Sequence, residues 1–153
     1  MRFSILVPSY NRPEYIRETL VSIFKSSFVD FEVLVSDDCS PRADIIQSVL
    51  SEFSEENRLR CFFQKDNLKE PNNKNFLVSK AKGDYLIFIG DDDVILPNAL
   101  GVLDSYIDAC SDVALFSFGY NIIDESNVHI YKRLSPVEFN IDSRNLKTLY
   151  DFF

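Results

Sequence analysis

The sequence predicts an α/β fold in which a mostly parallel central sheet carries helices on both faces. Short apolar runs alternate with segments of helical periodicity from the first residue onward, which is the pattern of successive strand–helix–strand units. A length of 153 residues, 46% of them hydrophobic, is enough to bury one core. Aspartates directly follow two of the apolar runs, where loops should leave the sheet. Residues 1–153 are therefore predicted to form a single domain.

Five strands are predicted from runs that are rich in β-branched and aromatic residues. The first three are "FSILV", "FEVLVS" and "LRCFF". The fourth, "DYLIFIG", is the most apolar, which predicts a central position in the sheet, and the fifth is "DVALFSFGYNII". In chain order the five runs occupy residues 3–7, 31–36, 59–63, 84–90 and 112–123.

Helices are predicted between these strands because apolar residues recur there every three or four positions. Pro13, Pro71 and Pro97 mark the starts of three of them, since proline is favoured in the first turn of a helix. The helix from Pro71 is expected to stop before Gly83. The inward-facing positions are predicted to be Ile16, Leu20, Ile23 and Phe24 in the first helix, Ile45, Ile46, Val49, Leu50 and Phe53 in the second, and Phe76, Leu77 and Ala81 in the third.

After Asp124 the pattern weakens. The segment "VHIYKRL" predicts one more strand, and "SRNLKTLYDFF" predicts a terminal helix. Asp124 and Glu125 are the only adjacent acidic pair in this part of the chain, and their position after a strand is typical of a turn.

The charge and hydropathy of the chain exclude several functions. A formal net charge of −8 argues against a nucleic-acid partner, because phosphate backbones are bound by clustered lysine and arginine. No apolar run approaches the ~20 residues that span a bilayer, so no membrane span is expected in this chain. The N-terminus lacks the layout of a signal peptide, which predicts a cytoplasmic location, including the inner face of the membrane.

Two groups of aspartates indicate the functional edge of the sheet. Asp37 and Asp38 follow the second strand, and Asp91, Asp92 and Asp93 follow the fourth. Because ligands bind at the carboxyl ends of the strands in open α/β sheets, both groups should face one site. Adjacent carboxylates repel one another, so three in a row predict a bound cation. The alternative is that these residues cap helices and form turns.

Three segments of the chain resemble one family of enzymes. "ILVPSYNRPEYIRETLVSI", "FEVLVSDDCS" and "NFLVSKAKGDYLIFIGDDD", in this order and at this spacing, are similar to the nucleotide-sugar-binding part of family 2 glycosyltransferases. The resemblance covers roughly residues 3–120. It implies the Rossmann-like GT-A fold and a metal-dependent transfer of sugar, with inversion, from a nucleotide-diphosphate sugar to an acceptor hydroxyl. It also implies a role in polysaccharide biosynthesis.

The resemblance assigns roles to the aspartates by matching positions. Asp38 is implied to read the edge of the nucleobase, and Asp91 to bind the ribose or the diphosphate side of the donor. Asp92 is implied to be the metal ligand of a DXD-like motif, with Asp93 beside it, and Asp37 is a supporting candidate. The end of the first strand and the helix before the fourth strand complete the implied nucleotide-sugar site with Pro8, Ser9, Tyr10, Asn11 and Asn75.

The implied cofactor agrees with the charge of the site. A sugar nucleotide brings a diphosphate to a region that is already acidic, and Mn²⁺ or Mg²⁺ accepts oxygen ligands from both groups. A UDP-sugar is the expected donor, and a glycan or lipid-linked molecule the expected acceptor. Lys69 and Lys74 are candidates to reach phosphate, although lysines on a solvated helix face are common. Tyr10 is predicted either to stack on the base or to pack at the strand end.

Inversion by direct displacement requires a carboxylate base, and this residue is unknown from the sequence. Relatives supply the base and most of the acceptor site from a second half, so the chain is expected to be an N-terminal piece of a longer transferase that lacks both. Two other functions remain open: a non-catalytic module that binds nucleotide or metal, and a receiver domain. The receiver domain is disfavoured because its acidic pair should follow the first strand, which here ends in "PSYN".

Overall fold

The structure is a computed structural model that describes residues 1–110, 114–116, 119–124 and 128–133. The chain divides into two compact units, residues 1–102 and residues 103–153, and the boundary between them falls within a helix. The elements in chain order are β1 Phe3–Ser9, α1 Ile16–Phe24, β2 Phe31–Asp37, α2 Ala43–Ser51, β3 Leu59–Phe63, α3 Glu70–Lys80, β4 Tyr85–Phe88, α4 Ala99–Ala109, β5 Tyr120–Ile123 and β6 His129–Arg133.

The first unit contains a four-stranded parallel sheet in the order β3-β2-β1-β4. This confirms the predicted α/β class, and the ends of the first four strands lie within two residues of their predicted positions. Strand order reverses at β1, because β2 and β3 lie on one side of it and β4 on the other. The crevice at such a reversal is where open α/β sheets bind ligands.

Both faces of the sheet bear buried residues. Leu6 of β1 and Leu34 of β2 pack against Leu77 of α3, and all three side chains are fully buried. The residues that alternate with them along β1 and β2 point to the opposite face and are fully buried as well. Helices α1 and α2 contact each other, and their buried apolar residues are Ile16, Leu20, Ile23, Ile46 and Leu50. Ile45 is exposed, contrary to prediction, because its helical position turns it toward solvent.

The fourth strand differs from its prediction in one respect. Within the described residues β4 pairs only with β1 and lies at the edge of the described sheet, so the expected central position is not found in that part of the chain. Alternate side chains of β4 are exposed, including Leu86 at 42% and Phe88 at 49%. The hydrophobicity of a strand indicates that its faces are apolar, but it does not indicate how many neighbouring strands pair with it.

The second unit contains an antiparallel pair. Tyr120 of β5 lies opposite Arg133 of β6. The predicted strand at 112–123 is regular only over β5, since 114–116 and 119 are irregular and the rest of the run lies outside the described residues. The Asp124 backbone N–H donates to the Val128 carbonyl at 3.0 Å, and the Val128 N–H donates to Asp124 Oδ1 at 2.9 Å. Glu125 and the predicted terminal helix lie outside the described residues. Within the described part of the chain, no helix combines the length and hydrophobicity needed to cross a bilayer.

A buried ionic network holds the amino-terminal edge of the sheet. Glu32 accepts hydrogen bonds from Ser4 Oγ at 2.8 Å, from the Lys82 backbone N–H at 2.7 Å and from an Arg60 guanidinium nitrogen at 2.9 Å. Burial opposes ionisation of Glu32, but these three donors outweigh it and lower the pKa of this carboxyl. The network fastens the turn between α3 and β4 to the ends of β1 and β2.

Gly83 in that turn leaves no room for a side chain. A Cβ there would lie within 3.0 Å of backbone atoms of Phe3 and Ser4. We expect Gly83→Ala to lower the free energy of unfolding by about 1–3 kcal/mol, because the backbone must shift to relieve the overlap. Gly101 of α4 is the matched control, since its Cβ would meet nothing within 4 Å and alanine favours helices. Gly101→Ala should raise stability by roughly 0.5–1 kcal/mol. Urea denaturation of both variants tests this; a Gly83→Ala variant as stable as the wild type contradicts the packing.

Candidate functional site

A cavity of about 660 Å³ opens at the carboxyl-terminal edge of the sheet, within the first unit. Its volume is that of a site for a small molecule or cofactor. One wall follows β1, a second follows β4, and a third comes from the start of α3 and the loop before it. The lining residues are Pro8, Ser9, Tyr10, Arg12, Asp38, Asn67, Lys69, Glu70, Asn73, Lys74, Phe88, Ile89, Gly90, Asp91, Asp92 and Asp93.

Asp91 is the buried member of the acidic loop, with 6% of its surface exposed. Ser9 Oγ donates a hydrogen bond of 2.7 Å to its carboxylate, and Thr19 Oγ1 donates one of 3.0 Å to its backbone carbonyl. Burial raises the pKa of Asp91, while the Ser9 hydrogen bond and the charge of Arg12 partly oppose the rise. The acidic loop is thus fixed to both β1 and α1.

Asp92 and Asp93 are the exposed members of the loop. Asp92 Oδ2 is paired with the guanidinium of Arg12, and Asp93 Oδ2 accepts a hydrogen bond of 3.2 Å from the Gly90 backbone N–H. One oxygen of each carboxylate lies within 3.0 Å of the point where a Gly90 Cβ would be, at 2.9 Å for Asp92 Oδ1 and 2.8 Å for Asp93 Oδ2. Glycine at position 90 therefore leaves space in which two carboxylate oxygens converge.

The carboxylates of the acidic loop are the donor set for the divalent cation that the resemblance implies. Carboxylate oxygens are the ligands that Mg²⁺ and Mn²⁺ prefer. Among the described residues no group of three or more His, Cys, Asp or Glu side chains could hold a metal ion. Two carboxylates fit a Mg²⁺-type ion that keeps water molecules and takes oxygens from substrate phosphates, since such ions are bound in this way. The residues fit the metal only as part of a site that a phosphate ligand completes.

The two aspartates after β2 have separate positions. Asp37 does not line the cavity; its buried carboxylate accepts hydrogen bonds from the backbone N–H and the hydroxyl of Ser40. This is the turn-forming role that the sequence left as an alternative. Asp38 lines the cavity, is 4% exposed, and accepts a hydrogen bond of 2.7 Å from the Leu68 backbone N–H. Its own N–H donates to Ser9 O at 2.9 Å, which joins the ends of β1 and β2.

The residues that follow β1 are divided in the same way. Pro8, Ser9 and Tyr10 line the cavity, and the Tyr10 side chain is 48% exposed there. Asn11 does not line it: the backbone has a φ of 60°, and its N–H donates to Ser40 Oγ at 2.7 Å. Its carbonyl and side-chain oxygens accept hydrogen bonds from Arg42. Asn11 therefore shapes the loop behind the cavity.

The structure brings Asn73, rather than Asn75, to the cavity. Asn73 is 2% exposed and lines the cavity, whereas Asn75 is exposed on another side of α3. Two residues advance a helix by about 200°, so the two side chains leave it in nearly opposite directions. Asn73 shares the buried face with Leu77, and this four-residue spacing is the signal in the sequence that identifies it. Its amide group bonds to both the hydroxyl and the carbonyl of Ser36 at the end of β2.

Two lysines that the sequence left undecided reach the cavity. Lys69 precedes α3, and Lys74 lies one turn into it, where it pairs with Glu70. Lys69 has a φ of 69° and a ψ of 156°, a conformation that is nearly restricted to glycine. Backbone strain of this kind gathers at functional sites, and here it turns the chain into α3 at the cavity wall.

Sequence reasoning also missed Arg12 and Phe88. Arg12 is the cation of "PSYNRP", directly after the strand-end residues predicted to line the site, and a cation beside a predicted acidic site is a signal for an ion pair. Phe88 lies within the apolar run of the fourth strand, but it lines the cavity, and its ring centroid is 6.0 Å from Lys74 Nζ.

The sequence of the chain matches one protein-family model, "Glycosyl transferase family 2", over residues 4–152. The chain belongs to glycosyl transferase family 2. Among the curated relatives of this family 2 chain is a Campylobacter jejuni GalNAc(5)-diNAcBac-PP-undecaprenol beta-1,3-glucosyltransferase. It is 34% identical over 104 residues, which are 67% of this chain and 33% of the relative. The chain thus spans about a third of the length of that relative.

Solved structures of glycosyltransferases share the fold. Staphylococcus aureus TarS 1-349, solved in complex with UDP-GlcNAc, has a TM-score of 0.68 and 32% identity, covering 72% of this chain and 32% of that one. A mannosyltransferase from Pyrobaculum calidifontis, in complex with GDP-Man and Mn²⁺, has a TM-score of 0.64, covering 80% of this chain and 36% of that one. At 19% identity, the latter likeness concerns the fold alone. The expected GT-A fold is confirmed.

The hydrogen bond from Ser9 to Asp91 gives a stability test that depends on pH. Ser9→Ala removes a donor to a buried carboxylate, which should lower the free energy of unfolding by about 1.5–3 kcal/mol at neutral pH. Losing this donor raises the folded-state pKa of Asp91 further, so the destabilisation is largest when Asp91 is ionised and shrinks as the pH falls. Urea denaturation at pH 7.5 and pH 4.5 measures both values.

Ser22→Ala is the matched control. Ser22 Oγ accepts a hydrogen bond from the Ile95 backbone N–H at 3.1 Å, so it anchors the segment after the acidic loop through a neutral partner. Its loss should cost about 0.5–1.5 kcal/mol at either pH. Equal effects of Ser9→Ala at the two pH values would contradict a role for this bond in holding ionised Asp91.

Proposed function

We propose that this chain binds the UDP-sugar donor of a metal-dependent, inverting glycosyltransferase whose acceptor is a glycan or a lipid-linked molecule. The observation that carries the proposal is the placement of Asp38 and the acidic loop on different walls of one cavity at the strand-order reversal. Membership of family 2 supports it. TarS, at 32% identity, has been solved with UDP-GlcNAc, which favours uridine as the base.

The wall that holds Asp38 is suited to the nucleobase. Asp38 keeps one oxygen on the Leu68 N–H, which fixes the carboxylate and leaves its second oxygen to accept a hydrogen bond from an imide N–H such as that of uracil. Tyr10 presents a half-exposed ring on the neighbouring wall, where it can cover the flat face of the base. A planar base with an N–H donor requires a fixed hydrogen-bond acceptor and an aromatic surface, which Asp38 and Tyr10 would supply.

The rest of the cavity is suited to the ribose and the diphosphate. Asp91 is held by Ser9 and accepts from a ribose hydroxyl in this proposal, while Lys69 and Lys74 offer positive charge to the phosphates. Asp92 and Asp93 are the residues that would hold Mn²⁺ or Mg²⁺ together with phosphate oxygens. When bound, such an ion supplies Lewis-acid stabilisation of the charge on the leaving diphosphate.

The proposed reaction is a single displacement. A carboxylate base takes the proton of the acceptor hydroxyl, the acceptor oxygen forms a bond to the anomeric carbon, and the bond from that carbon to the diphosphate oxygen breaks. The nucleoside diphosphate leaves with the electron pair, and the anomeric configuration inverts. This chain contributes the geometry of the donor, whose orientation in the cavity is a large part of the rate advantage of any bound reaction.

Calorimetric titration with UDP, UMP and pyrophosphate, with and without Mn²⁺, tests the donor site. Asp38→Ala should weaken the binding of UDP and UMP on the order of ten- to a hundredfold, because a hydrogen bond to a charged group is lost. The affinity for pyrophosphate in the presence of Mn²⁺ should be unchanged. Asp92→Asn should remove the gain in UDP affinity that Mn²⁺ provides and leave the binding of UMP unchanged.

Asp84→Asn is the matched control for charge. Asp84 is exposed at the amino-terminal end of β4, the opposite edge of the sheet, and all three affinities should match the wild type. Equal weakening of UDP and pyrophosphate by Asp38→Ala would show that Asp38 does not contact the base. Binding of nucleotide with no sugar transfer by the full-length protein would favour the alternative of a non-catalytic binding module.

A further inference from the structure

Arg12 is the cation closest to the acidic loop among the contacts that the structure describes. Its guanidinium is paired with Asp92 Oδ2, and the same nitrogen lies 3.9 Å from Asp91 Oδ1. About half of the Arg12 side chain and 43% of the Asp92 side chain are exposed, so the pair is at the cavity surface. Arg12 thus touches the carboxylate that the proposed function gives to the metal.

This contact neutralises part of a repulsive cluster. Asp91, Asp92 and Asp93 are consecutive, and carboxylates so close together repel one another unless a cation lies between them. Arg12 reaches two of the three from the loop between β1 and α1, some eighty positions earlier in the chain. In the chain alone, therefore, a guanidinium stands where a divalent ion would otherwise relieve the repulsion.

We propose that Arg12 is a resident counter-ion that competes with the divalent metal for Asp92 and is released toward the donor diphosphate when the metal binds. The proposal rests on the proposed function, since it concerns the same metal and donor. Arg12 pairs with Asp92 Oδ2, whereas Asp92 Oδ1 is the oxygen that converges with Asp93 near Gly90. A guanidinium and a divalent cation on the two oxygens of one carboxylate repel each other at close range, so metal binding should loosen the ion pair. The freed guanidinium already lines the cavity, and its planar donors suit phosphate oxygens.

The consequence is that metal and donor should bind in a coupled way. In the absence of UDP, the metal ion must displace Arg12 from Asp92 and has no phosphate oxygens as ligands. The metal ion alone should therefore bind weakly. When metal and UDP bind together, Arg12 can pair with the negatively charged diphosphate in place of the Asp92 carboxylate. Arg12 is then a positioning residue that links occupation of the metal site to occupation of the diphosphate site.

Arg17 provides a matched control for the loss of one positive charge. It lies in α1, five positions after Arg12, and pairs with exposed Glu52 at 2.7 Å, and it does not line the cavity. Arg12→Gln and Arg17→Gln make the same change in net charge, so any difference between them reports on the contact with Asp92 and Asp91.

The first measurement is the affinity for Mn²⁺ alone, read from the electron paramagnetic resonance signal of the free ion. Arg12→Gln should bind Mn²⁺ roughly three- to tenfold more tightly than the wild type, because the competing cation is gone. Arg17→Gln should stay within about twofold. Arg12→Lys, which keeps the charge, should lie nearer to the wild type than Arg12→Gln does. Equal Mn²⁺ affinities for Arg12→Gln and Arg17→Gln, or no Mn²⁺ binding by any of these proteins, would overturn the proposal.

The second measurement is UDP affinity at saturating Mn²⁺. Arg12→Gln should bind UDP roughly three- to tenfold more weakly than Arg17→Gln, even though it binds the metal more tightly. A purely structural role for Arg12 would weaken both ligands together, which would overturn the proposal. Failure of the wild type to bind UDP with Mn²⁺ would instead reject the proposed function, whereas the comparison of the two variants with Mn²⁺ alone decides the competition.

Discussion

Parallel pairing of β1 with both β2 and β4 is the constraint on which the site depends. The register sets Ser9 opposite Asp37 and Leu6 opposite Phe88, so that each strand ends at the same edge of the sheet. Polar residues from distant parts of the chain meet there because each comes directly after its strand. The backbone bond from Asp38 N–H to Ser9 O and the side-chain bond from Ser9 to Asp91 then join the three strand ends.

The site concentrates negative charge, and the fold manages that charge locally. Asp91 is buried with a raised pKa, which means that its ionised form lowers the stability of the folded state. Ser9 and Arg12 reduce this cost without removing it. Two lysines on the α3 side and the ion pair of Arg12 with Asp92 place positive charge on the walls of a cavity in a chain of net charge −8. In the proposed function, these cations and a bound metal offset the carboxylates, which allows an anionic donor to enter the cavity.

The sequence predicted the elements that follow from local periodicity, together with the edge at which the site lies. The strands at β1, β2 and β3 and the buried face of α3 at Leu77 are set by neighbouring residues. The number of strands that pair with a given strand is not set by neighbouring residues, which is why β4 was expected at the centre of the sheet and lies at the edge of the described one. The difference between Asn73 and Asn75, and between Asp38 and Asp37, depends on which way a side chain leaves a helix or a turn, and a motif does not resolve that direction. Arg12 was missed because its partner, Asp92, lies in another loop.

The most direct test of the donor site at this edge is a map of backbone amide shifts in the ¹⁵N NMR spectrum when UDP and Mg²⁺ are added. Changes are expected at residues 9, 10, 12, 38, 67, 69, 70, 73, 74 and 88–93, which line the cavity and carry a backbone amide. No change is expected at Glu32, Lys82 and Gly83, which lie at the opposite edge of the sheet. Changes centred on those three residues, or an acidic loop that does not respond to UDP and Mg²⁺, would contradict the proposed donor site.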